Sequence, residues 1–261
     1  MFRVLACAAM LLAGISSAPA QAADTFHFDA RPEGTNNISL RITRNAEPQD
    51  HDSWSQTVPL ADLQGFDRAA AQRDAPVAFH LTRPAGRIDC AGQGHEGHAD
   101  GHCQITLDAG FVSRLAAHGL ARPDEREGFQ LVMSGVSADI LDALQAEGWQ
   151  QPTVKQLVDT GIFHVDAPMV HGLARAGYKG GTVKTLVDFA IFHVTPDYVR
   201  AMRAAGLGDQ PGAKLVQLRI FNVTPDDVRA LAGGGHAAPT AGQLMKLRMA
   251  GLAPRDLGTR N

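Results

Sequence analysis

From Gly92 to His102 the chain reads Gly-Gln-Gly-His-Glu-Gly-His-Ala-Asp-Gly-His, its one dense cluster of metal-ligand side chains. Imidazole nitrogens suit zinc, copper or nickel, and a carboxylate completes such a set well. The composition points to a transition-metal site built from His95, His98 and His102, with Glu96 or Asp100 beside them. A solvated hairpin loop without a ligand, clamped at its base by a disulfide, is the favoured expectation, since flexible glycine-rich backbone holds ligands weakly. The string His95-Glu96-Gly97-His98 is not a zinc-protease motif. That motif sets two histidines four apart on a helix with a glutamate between, and here the spacing is three.

Other residues that could do chemistry have structural explanations. His164 and His193 share a repeat column with Gly135, Asn222 and Gly251, so they are expected to be backbone caps rather than ligands. His171 is expected on a helix surface. Asp226 and Asp227 fall in a first helical turn, where they complement the dipole. There is no nucleophile elbow, phosphate-cradling loop or dinucleotide fingerprint. The chain is expected to be a non-enzyme, with a hydrolase whose site residues are scattered as the least favoured alternative.

The elements that must position these residues fall into two regions. From residue 23 to 107 the apolar pattern has period two, which predicts an antiparallel β domain with one buried face. Strands are expected at Thr25–Ala30, Asn37–Thr43, Ser53–Val58, Val77–Thr82, Arg87–Cys90 and Cys103–Leu107. A tight turn is expected at Arg83-Pro84-Ala85-Gly86, and a short helix or irregular crossing between Leu60 and Arg73. Cys90 and Cys103 then face each other at the base of a loop from Ala91 to His102, and a disulfide is expected there. Closing so short a loop is worth roughly 2–3 kcal/mol. A sheet with one apolar face needs a cover, which the helical remainder would supply.

From residue 108 to 261 a 29-residue step takes over. It joins Gly119, Gly148, Gly177, Gly206 and Gly235; Leu157, Leu186, Leu215 and Leu244; and Met133, Ile162, Ile191, Ile220 and Met249. Asp108, Ser137, Asp166, Thr195 and Thr224 form a column of helix N-caps, followed by Ala109, Ala138, Ala167, Pro196 and Pro225 at the first helical position. That helix ends at the glycine column, where left-handed backbone is wanted. A second helix starts after Asp124, Thr153, Thr182 or Thr240 and carries the Leu and Ile columns. It ends at Gly135, His164, His193, Asn222 or Gly251. Helices of about ten residues are marginal alone and must lean on neighbours. The expected fold class is therefore α+β, an antiparallel β domain followed by a short α-solenoid of four to five helical hairpins, with Arg255–Asn261 as a polar end cap.

Residues 1–22 carry Arg3, an apolar run from Val4 to Ile15 and an Ala20-Gln21-Ala22 tail, which predicts a cleaved export signal. The run is too short for a bilayer span, and no later segment reaches that length. Removal of Cys7 with the signal leaves Cys90 and Cys103 as a pair in an oxidising compartment. A periplasmic or secreted location is expected. Lys and Arg total 24 against 27 for Asp and Glu, so nothing steers the whole chain toward nucleic acid. An early acidic stretch, including Asp139, Asp142, Glu147 and Asp159, precedes a basic one with Lys214, Arg219, Arg229, Lys246 and Arg248. Such polarity suits a charged partner or head-to-tail self-association; ordinary solvated helix faces are the favoured explanation.

The string Leu186-Val187…Ile191-Phe192-His193-Val194-Thr195-Pro196-Asp197-Tyr198-Val199-Arg200…Gly206 resembles a repeat of bacterial exported proteins. In them it follows the membrane metallopeptidase domain of antirepressor-type, β-lactam-sensor-like proteins, or stands in secreted proteins without that domain. The Val77–Cys103 hairpin leading into Ile105–Gly119 is similar to the domain preceding those repeats. The resemblance covers most of 24–257 and implies an extracytoplasmic sensor or interaction module. It carries over no catalytic residue and no protease activity, because no zinc-peptidase motif is present in these residues. The histidine-rich segment departs from the plainer glycine-rich version of the family. The leading expectation is a non-enzymatic protein that binds a protein or peptide through its helical repeats, with transition-metal binding by residues 92–102 as the alternative.

Overall fold

The computed structural model describes residues 26–44, 53–232 and 239–252; the expected export signal, Gly235 and the end cap lie outside them. The described chain is mixed α+β, with seven strands followed by ten helices. The strands are β1 (Phe26–Glu33), β2 (Asn37–Arg44), β3 (Ser53–Pro59), β4 (Leu63–Gln64), β5 (Ala75–Arg83), β6 (Gly86–His95) and β7 (His98–Leu107). They form one antiparallel sheet in the order β3-β2-β1-β7-β6-β5-β4. Alternation places the apolar residues on one face: Phe26, Phe28 and Ala30 from β1, Ile38, Leu40 and Ile42 from β2, and Val77, Phe79 and Leu81 from β5 are all buried.

Two expectations about this region are corrected. The segment 91–102 is not a flexible loop. Strands β6 and β7 continue through it, with Gly94 opposite Ala99 and His95 opposite His98. Glu96 and Gly97 make the two-residue turn, both left-handed, at φ 48° and 91°; such hairpin turns require positive φ at both central positions. Nor do the nearby glycines signal mobility. A Cβ on Gly92 would lie 1.9 Å from the Asp100 carbonyl oxygen, so this position admits no side chain.

The second correction concerns the cover. Strands β7 and β6 lie between β1 and β5, so in a flat sheet three strand spacings would hold β1 and β5 about 14 Å apart. Yet the Phe28 and Phe79 rings meet edge-on with centroids 5.0 Å apart. The sheet therefore curls and buries much of its apolar face against itself. A 3-10 turn at Leu60–Asp62 carries the chain from edge strand β3 to edge strand β4. Arg68 helps hold the curl by donating to the carbonyls of Gly34 and Thr35 at 2.7 and 2.5 Å. The helical part contributes mainly α2 (Glu125–Ser134), which packs on β5, β6 and β7. Its Phe129 stacks on Phe26 at 4.8 Å.

The remaining helices are α1 (Ala109–Ala117), α3 (Asp139–Ala146), α4 (Val154–Ile162), α5 (Ala167–Arg175), α6 (Val183–Ile191), α7 (Pro196–Ala204), α8 (Gly212–Ile220), α9 (Pro225–Ala232) and α10 (Ala241–Met249). Packing runs between alternate helices: α2, α4, α6, α8 and α10 follow one another in one layer, and α3, α5, α7 and α9 in a second. Capping fixes where each begins. Asp108, Asp166 and Thr195 accept the N–H groups of Phe111, Met169 and Tyr198 at 2.7, 2.8 and 3.1 Å. Thr224 receives the Asp227 N–H at 3.4 Å, while the Asp227 carboxylate accepts the Thr224 N–H at 2.8 Å. Ser137 departs from its column. It stands one residue before the N-cap, Ala138, and receives only the Asp139 N–H, at 3.3 Å.

The C-terminal columns are left-handed as a set. Gly119, Gly148, Gly177 and Gly206 have φ between 73° and 97°, and His164, His193 and Asn222 lie at 55°, 55° and 53°. A left-handed histidine costs about 1–2 kcal/mol relative to glycine.

Candidate functional site

The polar face of the curled sheet gathers the histidines. Alternation along β7 places His98, Asp100 and His102 on that face, and cross-strand register adds His95 from β6 and His27 and Asp29 from β1. The His95 and His98 rings are 4.1 Å apart, centre to centre, and the His95 Nε2 is 3.3 Å from an Asp100 carboxylate oxygen. One donor atom from each of His95, His98 and Asp100 falls within 4.8 Å of the other two. His102 is not in this group. Its ring lies 4.3 Å from that of His27, and it lines a shallow depression with His80 and Asp89. Glu96 occupies the turn, also outside the group. Thus three of the five expected ligands come together and two do not.

Residue His27 is one that sequence reasoning missed. Only the pairing of β1 with β7 brings it opposite His102. Its imidazole is held below the usual histidine range, chiefly by burial and then by the facing His102, against a smaller pull upward from Asp100.

Two features make the hairpin stiff. Cys90 and Cys103 are directly paired, with their sulfurs at disulfide distance and their Cα atoms 4.1 Å apart. At the other end, the Gly97 N–H donates to the Ala71 carbonyl at 3.1 Å. A Cβ on Gly94 would sit 2.1 Å from the Ala70 carbonyl oxygen, so the 70–72 turn is pressed against the hairpin.

A second surface lies on the helices. The Leu column is buried: Leu157, Leu186, Leu215 and Leu244 are at most 3% exposed. The Ile column, on the same helices, is not. Ile162, Ile191, Ile220 and Met249 are 52%, 42%, 54% and 61% exposed, and Phe163 and Phe192 beside them are 39% and 38% exposed. Met133, the first member, is buried and shares a pocket with Ile162 and with Trp54 of β3. The sheet thus covers the first step of the column and leaves the later steps bare. Large apolar side chains thus stand exposed at one position on successive helices of a layer, a regular arrangement unlike the scattered apolar residues of an ordinary surface.

The remaining candidates are occupied by structural work. His171 Nδ1 and the Lys179 ammonium both meet the Glu147 carboxylate, at 3.0 and 3.2 Å, and hold it below the ordinary carboxylate range. His118 and Arg114 do the same to Asp142, and Arg114 also binds Asp139 at 2.5 Å. Asp227 is fully buried and pairs with Arg248 of α10 at 2.5 Å. Much of the acidic stretch is therefore neutralised locally. Among the described residues, no helix is long and apolar enough to cross a membrane.

No protein-family model matches this chain, and a comparison with curated proteins finds no significant match.

Proposed function

We propose that the protein is an exported, non-enzymatic interaction module, an α-solenoid that binds a partner polypeptide along the exposed Ile162–Ile191–Ile220–Met249 column. The bare column carries this reading, since folding alone gives no reason to repeat large apolar side chains at an exposed position. The alternate-helix packing and the resemblance to exported repeat proteins support it further. Packed helices lie about 8–10 Å apart, close to one turn of a polyproline-II chain, three residues and about 9 Å. The partner we infer is therefore a polyproline-II-like segment with an apolar side chain at every third position, all on one side, set across the helix ends. The Cys90–Cys103 pair suits a periplasmic or secreted setting.

Capture from a cell-envelope extract tests this. The wild-type protein should retain a reproducible partner that an Ile162→Glu, Ile191→Glu, Ile220→Glu variant of unchanged circular dichroism loses. Equal capture by both, or none by either, would overturn the proposal. Sedimentation of the same pair separates self-association from a foreign partner.

A further inference from the structure

We infer that the tip of the β6–β7 hairpin is a binding site for a divalent transition-metal ion of the zinc, copper and nickel group, held by His95, His98 and Asp100. The two-residue turn makes His95 and His98 direct cross-strand neighbours, and Asp100 follows on the same face two residues on. Opposed side chains in such a pair have Cβ atoms about 4.5–5.5 Å apart, which suits two imidazoles converging on one ion. Bonds of about 2.0–2.2 Å in tetrahedral geometry require donor atoms about 3.3–3.5 Å from one another. His95 Nε2 and the Asp100 oxygen already stand at 3.3 Å, and the whole set lies within 4.8 Å. Rotation of the side chains closes the rest, because His95 and Asp100 are 39% and 54% exposed and His98 is partly exposed too.

Stiff backbone is what separates this site from a histidine-rich loop. The paired cysteines clamp the hairpin below the tip, and the 70–72 turn braces it from behind. Ligands fixed before binding lose less conformational freedom on chelation, so the affinity exceeds that of a free peptide of the same sequence. One anionic and two neutral donors leave a net charge of about +1 on the complex, and three protein ligands leave coordination positions for water. His102 is excluded from the set by its place beside His27, so the site is tridentate and centred on the turn.

The test uses the untagged, oxidised protein. Calorimetry with zinc should give one equivalent bound. Electron paramagnetic resonance with copper(II) should show hyperfine coupling to two imidazole nitrogens. A His95→Ala, His98→Ala variant and an Asp100→Asn variant should each lose at least tenfold in affinity, while His102→Ala and Glu96→Ala stay within twofold. All the mutated side chains are at least partly exposed, and thermal melting of each apo variant checks its fold. Absence of binding at 100-fold excess zinc would overturn the site, as would unchanged affinity in the double variant or an equal loss with His102→Ala.

Discussion

In the sheet, β1 lies against β7, so that Phe26 stands opposite Cys103. In the helical part, α6 lies against α4 and α8, each one 29-residue step away. The two regions thus close their cores over different distances along the chain. Joining distant segments should make the sheet all-or-none: Phe28 of β1 and Phe66, just beyond β4, both meet Phe79 of β5 edge-on. Near-neighbour packing should make the helices divisible, because α4, α6, α8 and α10 pack on elements one step away and each carries a buried Leu-column residue. The contrast extends to the two candidate surfaces. The sheet fixes a few polar groups at one point on a stiff hairpin, whereas the helices repeat one apolar group along a line.

The largest expected effect comes from comparing the two cores directly. Phe79→Ala should cost about 3–5 kcal/mol and Leu215→Ala about 2–4 kcal/mol. Hydrogen exchange should show protection lost through β1–β7 in the first variant, but confined to α8 and the helices touching it in the second. Equal spread in both would erase the distinction drawn here.

A smaller effect sharpens the helical side. Arg248→Met leaves the Asp227 carboxylate buried without its cation and should cost about 3 kcal/mol, read by denaturant melts and localised to α9 and α10. Burial pushes the Asp227 carboxyl up, but the Thr224 N–H and the Arg248 guanidinium outweigh it and hold it below the ordinary range. The stability it contributes is therefore complete above the unfolded value, about pH 4, and is lost as pH falls through the lower folded value. An Asp227→Asn variant should accordingly show a flatter loss of stability below about pH 4.

The smallest effects probe single helix ends. Thr195→Ala removes the bond to the Tyr198 N–H and should cost about 1 kcal/mol. His193→Gly relieves about 1–2 kcal/mol of left-handed strain but costs about 0.5–1 kcal/mol in backbone entropy, so it should gain about 0.5–1 kcal/mol. Thermal melts measure both.

Local chemistry was the legible part of the sequence. Helix ends could be read because a cap is decided within four residues, as at Thr195 with Tyr198 or Asp166 with Met169. Strand positions could be read because alternation is local too. Three things could not. The curl of the sheet depends on rings that meet only after folding. The course of 91–102 was obscured because glycine serves close backbone approach as readily as flexibility, and at Gly92 the first applies. The exposure of the Ile column escaped because Leu157 and Ile162 are equally apolar, and only their angular positions around α4 decide which one faces solvent. Of the metal group, His95, His98 and Asp100 were visible from composition; the exclusion of His102 needed the register that sets it against His27.

The constant spacing of the bare column has a consequence for how such a chain can vary. Because the exposed column residues recur without insertion, duplicating or deleting one unit through unequal crossing-over would lengthen or shorten the column by a fixed increment and leave the pitch of the others untouched. The sheet, sealed over the first position, would serve as the zero mark of this molecular ruler. If the column binds a polypeptide as proposed, variants with an inserted or excised unit would select targets by length alone, with no change to any contacting side chain.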